Sequence, residues 1–315
     1  MNEEIENKEE EKPTNQLKST MPPATAAFFA LAMVFLLYQF GGAILTLLVF
    51  GFDIENADIN LLRLLTMGGQ ILLILLPSLL FARFVYEDIS TVLRVKLPTK
   101  KEIGIFTLGF IIISPLLQNY LYLQNYLIDL TAQNVSIVKY IKDALDQLDK
   151  LLQSTYGELL SASNIFEATL VILVVALTPA LCEEVFFRGF VQKSFEQKYK
   201  PYLAIIITAA FFGLYHFNPY GLVALIALGA YFGYAAYKSQ SIFIPIILHF
   251  LNNFLAISIY LIWGSEELIS SNVTASGSVL PQTISFVFLL AGFLFFLFYV
   301  NKNYNKFSKK IEEGI

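Results

Sequence analysis

Six side chains in a chain of 315 residues have types and spacings suited to hydrolytic chemistry: Glu183, Glu184, Arg188, His216, His249 and Asn253. Glu184 and Arg188 are four positions apart, so a helix sets them on one face where they can pair. Glu183 then points about 100° away and has no local partner. An ionisable residue of that kind, within reach of a substrate, is a candidate general base. His216 stands in the run Phe212-Gly213-Leu214-Tyr215-His216-Phe217-Asn218-Pro219, beside a helix-breaking turn. His249 and Asn253 are again four apart. Each group taken alone has a plainer reading. The Glu pair with Arg188 would be a structural ion pair, His216 an interfacial histidine, and His249 with Asn253 an interhelical hydrogen-bonding pair. Together they are the concentrated polar content of neighbouring apolar blocks, and these are the chain's only two histidines.

The elements that carry them must be membrane helices. The chain is 56% hydrophobic and 15% charged, with 29 Phe and 17 Tyr, against about 25% charged residues in ordinary soluble domains. The expected fold is therefore all-α, a polytopic membrane protein whose main partner is the lipid bilayer. A net charge of −4 gives no sign of nucleic acid. The single Cys182 excludes an intrachain disulfide and argues against a cysteine metal site; it reads as a small core residue.

A crossing helix needs about 20 apolar residues. Eight candidates follow: 24–52, 64–82, 103–123, 168 into the Glu183 region, 201–217, 219–237, 242–263 and 280–300. The break within 201–237 is placed at Asn218-Pro219, because a residue before proline is biased away from helix. With the N-terminus in the cytoplasm, 17 of the 21 Lys and Arg fall inside, as the positive-inside rule asks; both termini are expected to be cytoplasmic. Four regions follow. Residues 1–23 form a polar, disordered tail. Residues 24–163 hold the first helices and an external segment, amphipathic at helical spacing, that lies on the membrane surface or over a cavity. Residues 164–263 are the core, and 264–315 hold the last span and a basic tail.

Only 15 uncharged residues separate Glu167 from Glu183, about 22 Å of helix, too little to cross. The apolar run Val185-Phe186-Phe187 and Phe190-Val191 beyond the pair implies that both glutamates are submerged, with the interface nearer Gln192. Ionisable residues at that depth cost roughly 2.5–3.5 kcal/mol each and face the bundle interior.

Glu183-Glu184-x-x-x-Arg188, Phe212-x-x-x-His216 and His249-x-x-x-Asn253, in this order across neighbouring spans, resemble the CPBP family. That family includes the type II CAAX prenyl endopeptidases and bacterial bacteriocin-processing or immunity proteins. The resemblance covers residues 165–262 and implies an intramembrane endopeptidase, placed in the plasma (inner) membrane if the cell is bacterial. Its substrate would be a protein or peptide, with lipid-modified tails as one class. Carried over residue by residue, Glu183 would be the general base and His216 its partner in activating water. His249 and Asn253 would stabilise the oxyanion, and Glu184 with Arg188 would orient the site. No cofactor is favoured on this reading. The alternative is a zinc metalloprotease with Glu183, His216 and His249 as ligands, a set of the thermolysin kind. Two further classes remain open: a proton-coupled transporter using the buried carboxylates as a relay, and a non-catalytic membrane adaptor. On the span map Glu183 falls near the cytoplasmic side and His216 near the far end of its helix. Their meeting requires the fifth helix to tilt or to stop inside the membrane.

Overall fold

A computed structural model describes residues 17–52, 57–264, 271–272 and 278–308. Most of the expected polar N-terminal tail (1–16) and the end of the basic C-terminal tail (309–315) lie outside the described residues. Among the described residues nine helices of 15 residues or more stand out: α1 Pro23–Phe50, α2 Ile59–Val85, α3 Lys100–Asn134, α4 Ser136–Leu160, α5 Ile165–Glu196, α6 Pro201–Tyr215, α7 Leu222–Ser239, α8 Phe243–Trp263 and α9 Leu280–Asn303. Seven are long and apolar enough to cross a membrane; α6, apolar but of 15 residues, is not. The protein is an integral, multi-pass, all-α membrane protein, with no strand among the described residues beyond an isolated Ser19–Tyr86 bridge.

Local chemistry sets the helix boundaries. Asp58 caps α2 by accepting from the Leu61 N–H at 2.8 Å, and Asn164 caps α5 by accepting from Glu167 at 3.0 Å. Thr99 and Glu102 close a reciprocal capping box at the start of α3, which satisfies two orphan N–H groups. Pro201 stands in the first turn of α6, where its missing N–H costs nothing. The glycine following α8, Gly264, takes φ +64, the left-handed conformation that ends a helix.

Two departures from the sequence-based span map bear on the site. The fourth span is a helix of 32 residues, about 48 Å long, so the Glu pair lies well inside it and Gln192 is buried. The third span runs past its expected end at residue 123 to Asn134, and the amphipathic helix expected beyond it follows as α4.

Two large clusters of buried apolar side chains form the core. One joins α1, α2, α5 and α6 through Leu31, Val85, Phe186, Phe190 and Phe212. The other joins α3, α7, α8 and α9 through Phe106, Tyr231, Phe232, Leu248 and Phe296. The polar residues singled out above collect where these clusters meet.

Candidate active site

The central helix α5 is not uniformly α-helical. A wide π turn spans Ile172–Leu177 and a second spans Val185–Val191, with Glu183 and Glu184 on the α-helical stretch between them. π turns inside α-helices concentrate at functional sites. The first has a local cause, because Pro179 has no N–H to return to the preceding turn. The carbonyl four residues before it, that of Val175, accepts instead from the Asn253 side-chain amide of α8 at 3.1 Å. Asn252 donates in turn to Asn253 Oδ1 at 3.1 Å.

Glu184 and Arg188 pair as their spacing predicts, with Nη1 2.8 Å from Oε1 and both side chains fully buried. The same Oε1 accepts from His249 Nδ1 at 2.7 Å. Arg188 Nη2 donates to the Gly229 carbonyl of α7 at 3.1 Å. Its guanidinium lies 4.3 Å from the centroid of the Phe212 ring, a cation–π geometry. Gly229 allows this approach: a Cβ there would stand 2.9 Å from the Phe212 ring and 3.2 Å from Arg188 Nη2. The His249 ring stacks on Phe232 at 5.7 Å and meets the edge of Phe212 at 5.9 Å. Such extra bonds offset part of the cost of burying an ion pair, although Glu184 Oε2 and Arg188 Nε have no hydrogen-bond partner among the described residues.

Glu183 and His216 form a second, more open pair. His216 Nε2 stands 4.0 Å from Glu183 Oε2, with the side chains 29% and 17% exposed respectively. His216 Nδ1 lies 2.7 Å from the Phe212 carbonyl. A carbonyl only accepts, so Nδ1 carries the proton, and in the neutral ring Nε2 presents its lone pair toward Glu183. Glu183 Oε2 is buried without a hydrogen-bond partner among the described residues. His216 caps α6, and Phe217 after it takes φ +49, a conformation costing a bulky residue on the order of 1–3 kcal/mol.

The expected mismatch in depth between these two residues does not arise. Glu183 lies 13 residues before the end of α5, and His216 lies 15 residues after Pro201, across the short 197–200 turn. Each stands about 20 Å from that turn. Helix α6 stops short, and its end is level with Glu183.

The structure therefore brings the six residues into one hydrogen-bonded group, Glu184–Arg188–His249, and one facing pair, Glu183–His216, with Asn253 bound to the π turn beside them. Sequence reasoning placed Phe212 in a motif but gave it no role, and it passed over Phe232, Pro179 and Gly229. Phe212 had a legible signal in its i, i+4 spacing to His216. Gly229 and Phe232 had none, because their role depends on how α7 crosses α5. Farther along α5, Gln192 donates to the Gly233 carbonyl at 3.0 Å and to Glu196 at 2.8 Å. Glu196 also pairs with Arg94 in a buried contact. Residues 184, 188, 192 and 196 thus make a polar stripe down one face.

His249 gives Nδ1 to Glu184, which leaves Nε2 as its free ring nitrogen; metal-bound histidines commonly hold their other nitrogen in the same way. Among the described residues no three His, Cys, Asp or Glu side chains converge as a metal site.

Residues 165–255 match the family described as Rce1-like, type II CAAX prenyl endopeptidase Rce1-like. This segment, which holds all six residues, is similar to that family, as the motifs led us to expect. No curated protein and no solved structure matches the chain.

Proposed function

We propose that this chain is an intramembrane endopeptidase in which Glu183 and His216 activate the attacking water. The Rce1-like segment supports a CAAX-type membrane protease in general. One observation carries the finer reading: Glu183 Oε2 and His216 Nε2 face each other at 4.0 Å while His216 Nδ1 is committed to the Phe212 carbonyl. The separation is too long for a direct hydrogen bond and suits one water donating a proton to each acceptor. Such a water keeps its lone pairs free for the carbonyl carbon of the peptide. Glu183 takes the proton as the new C–O bond forms. It delivers that proton to the departing nitrogen as the C–N bond breaks, leaving a carboxylic acid and an amine.

The oxyanion formed in between needs donors. On this reading His249 supplies one through Nε2. Its Nδ1 proton is held by Glu184, so Nε2 carries a hydrogen only when the ring is an imidazolium. Glu184 would stabilise that cation while also holding Arg188. Preorganised donors of this kind are worth about 2.7–4 kcal/mol each in a site shielded from water. Asn253, with one amide hydrogen given to Val175, has a second to offer.

The test compares peptides shed from membranes of cells carrying the wild type, Glu183→Gln or His216→Ala, all confirmed as inserted. Loss of the same cleavage products in both variants is expected. A variant that keeps full cleavage overturns the assignment. Proton flux in liposomes that depends on Glu183, without cleavage, would point to the transporter class instead.

A further inference from the structure

Helix α4 turns its charged side inward. Lys142 pairs with Asp146 at 2.7 Å and with Asp129 of α3 at 3.4 Å. Asp146 also accepts from the Tyr220 hydroxyl, in the loop that follows His216, and Asp149 is buried. Lys142, Asp146 and Asp149 are therefore spent on the protein. The large apolar side chains are left outside: Ile137, Tyr140, Ile141 and Leu148 are each at least 40% exposed.

The exposed surface of α4 divides by angle. At about 100° per residue, those four apolar residues fall in one sector roughly 100° wide. The exposed charges Lys139, Asp143 and Lys150 fall in another sector about 40° wide, on the far side of the protein-facing residues. A helix standing free in water has no use for the first sector, and one sunk in hydrocarbon could not keep the second. A helix lying in the membrane interface needs both.

Position agrees with this. α4 follows α3 directly through Val135, and the apolar sector continues the exposed Leu127, Leu130 and Val135 of the α3 end. A cavity of about 570 Å³, lined by Leu127, Ile128, Val138 and Phe286 among others, opens along the same flank. Its apolar wall joins the lipid-facing surface of the spans.

We infer that α4 is an interfacial helix. Its Ile137–Leu148 apolar sector is seated in the acyl-chain region of the bilayer, its Lys139–Lys150 sector meets water, and its inward face clamps the loop after His216. The inference is independent of the reaction at Glu183.

The test uses the full chain in phospholipid liposomes. Nitroxide labels are placed on Ile141→Cys, Leu148→Cys, Asp143→Cys and Lys150→Cys; the native Cys182 is buried and escapes labelling. Collision with dissolved oxygen should exceed collision with a water-soluble nickel chelate at 141 and 148, and the order should reverse at 143 and 150. Chelate access at all four sites would overturn the inference, by placing the helix in water. Shielding at 141 and 148 from both reagents, with spin–spin broadening removed by unlabelled protein, would also overturn it, in favour of a second copy. A cysteine-free arm keeps the result decisive if labelling disturbs the fold. Ile141→Trp in a Trp263→Phe background should be quenched several-fold more by brominated acyl chains than by acrylamide.

Discussion

His249 shares Glu184 with Arg188: its Nδ1 lies 2.7 Å from the carboxylate oxygen that also holds the guanidinium at 2.8 Å. One carboxylate thus binds a cation from its own helix and a histidine from α8, and it fixes which ring nitrogen of His249 carries the proton. Arg188→Ala removes the compensating charge and leaves Glu184 buried. Loss of one partner from a buried pair costs about 3–5 kcal/mol, so this variant should melt far below wild type in detergent. Arg188→Lys should also be destabilised, because an ammonium cannot reach both Glu184 and the Gly229 carbonyl with fork geometry.

Glu183→Gln should behave in the opposite way. Its Oε2 is buried without a hydrogen-bond partner among the described residues, so neutralising it removes no bond. Cleavage should fall by about 10²–10⁴-fold, the range of a general base. The melting temperature should stay level or rise. An equal loss of stability and activity would mean that Glu183 is structural.

Asn253 can be separated into its two proposed duties by a double-mutant cycle with Pro179. Asn253→Ala leaves the Val175 carbonyl without its side-chain donor, a cost of about 1–3 kcal/mol. Pro179→Ala restores a backbone N–H in the next turn that can return to Val175. The double variant should therefore recover stability. If Asn253 also serves the oxyanion, cleavage stays low in the double variant; recovery of both would leave Asn253 a purely structural brace.

Chelation distinguishes the two hydrolytic mechanisms. With water held by Glu183 and His216, cleavage by purified protein should persist after dialysis against a strong zinc chelator. Elemental analysis should then find no stoichiometric metal. Loss of activity on chelation, restored by zinc, would overturn the glutamate mechanism.

The clamp between α4 and the loop after His216 should depend on pH. Burial pushes the Asp146 carboxyl up, but hydrogen bonds from Lys142 and Tyr220 and the Lys142 charge outweigh it and hold the group below its ordinary value. Lys142 is raised, first by its hydrogen bond to Asp146. A lowered carboxyl contributes stability above its unfolded pKa and loses it as pH falls through the folded one. A raised lysine contributes below its unfolded pKa and loses it as pH rises through the folded one. The contribution is therefore full across neutral pH and fails on the acid side as pH falls through the ordinary carboxylate range and below. Hydrogen exchange in residues 216–221, corrected for its intrinsic pH dependence, should show protection at neutral pH that is lost only in acid. Asp129 and Asp149, which face the same lysine side of α4, should be mutated in parallel to confirm that Asp146 is the titrating group. Asp146→Asn should remove the pH dependence.

Several features were legible in the sequence because they are local. Composition and the lengths of apolar runs required membrane helices. The spacing of Glu184 and Arg188 required one helical face, and Asn218-Pro219 marked where a helix must break. The periodicity of 137–152 required an amphipathic helix. None of these depends on a distant partner. Tertiary structure alone decided which partner each group takes. Nothing in the spacing of His249 pointed to Glu184; the crossing of α5 and α8 set its Nδ1 there. Asn253 went to a carbonyl that only the π turn exposes, and His216 came level with Glu183 because α6 stops after 15 residues. The periodicity of α4 gave no hint that its charged face turns inward. Which side of an amphipathic helix meets protein is set by the solvent outside, and here that solvent is lipid.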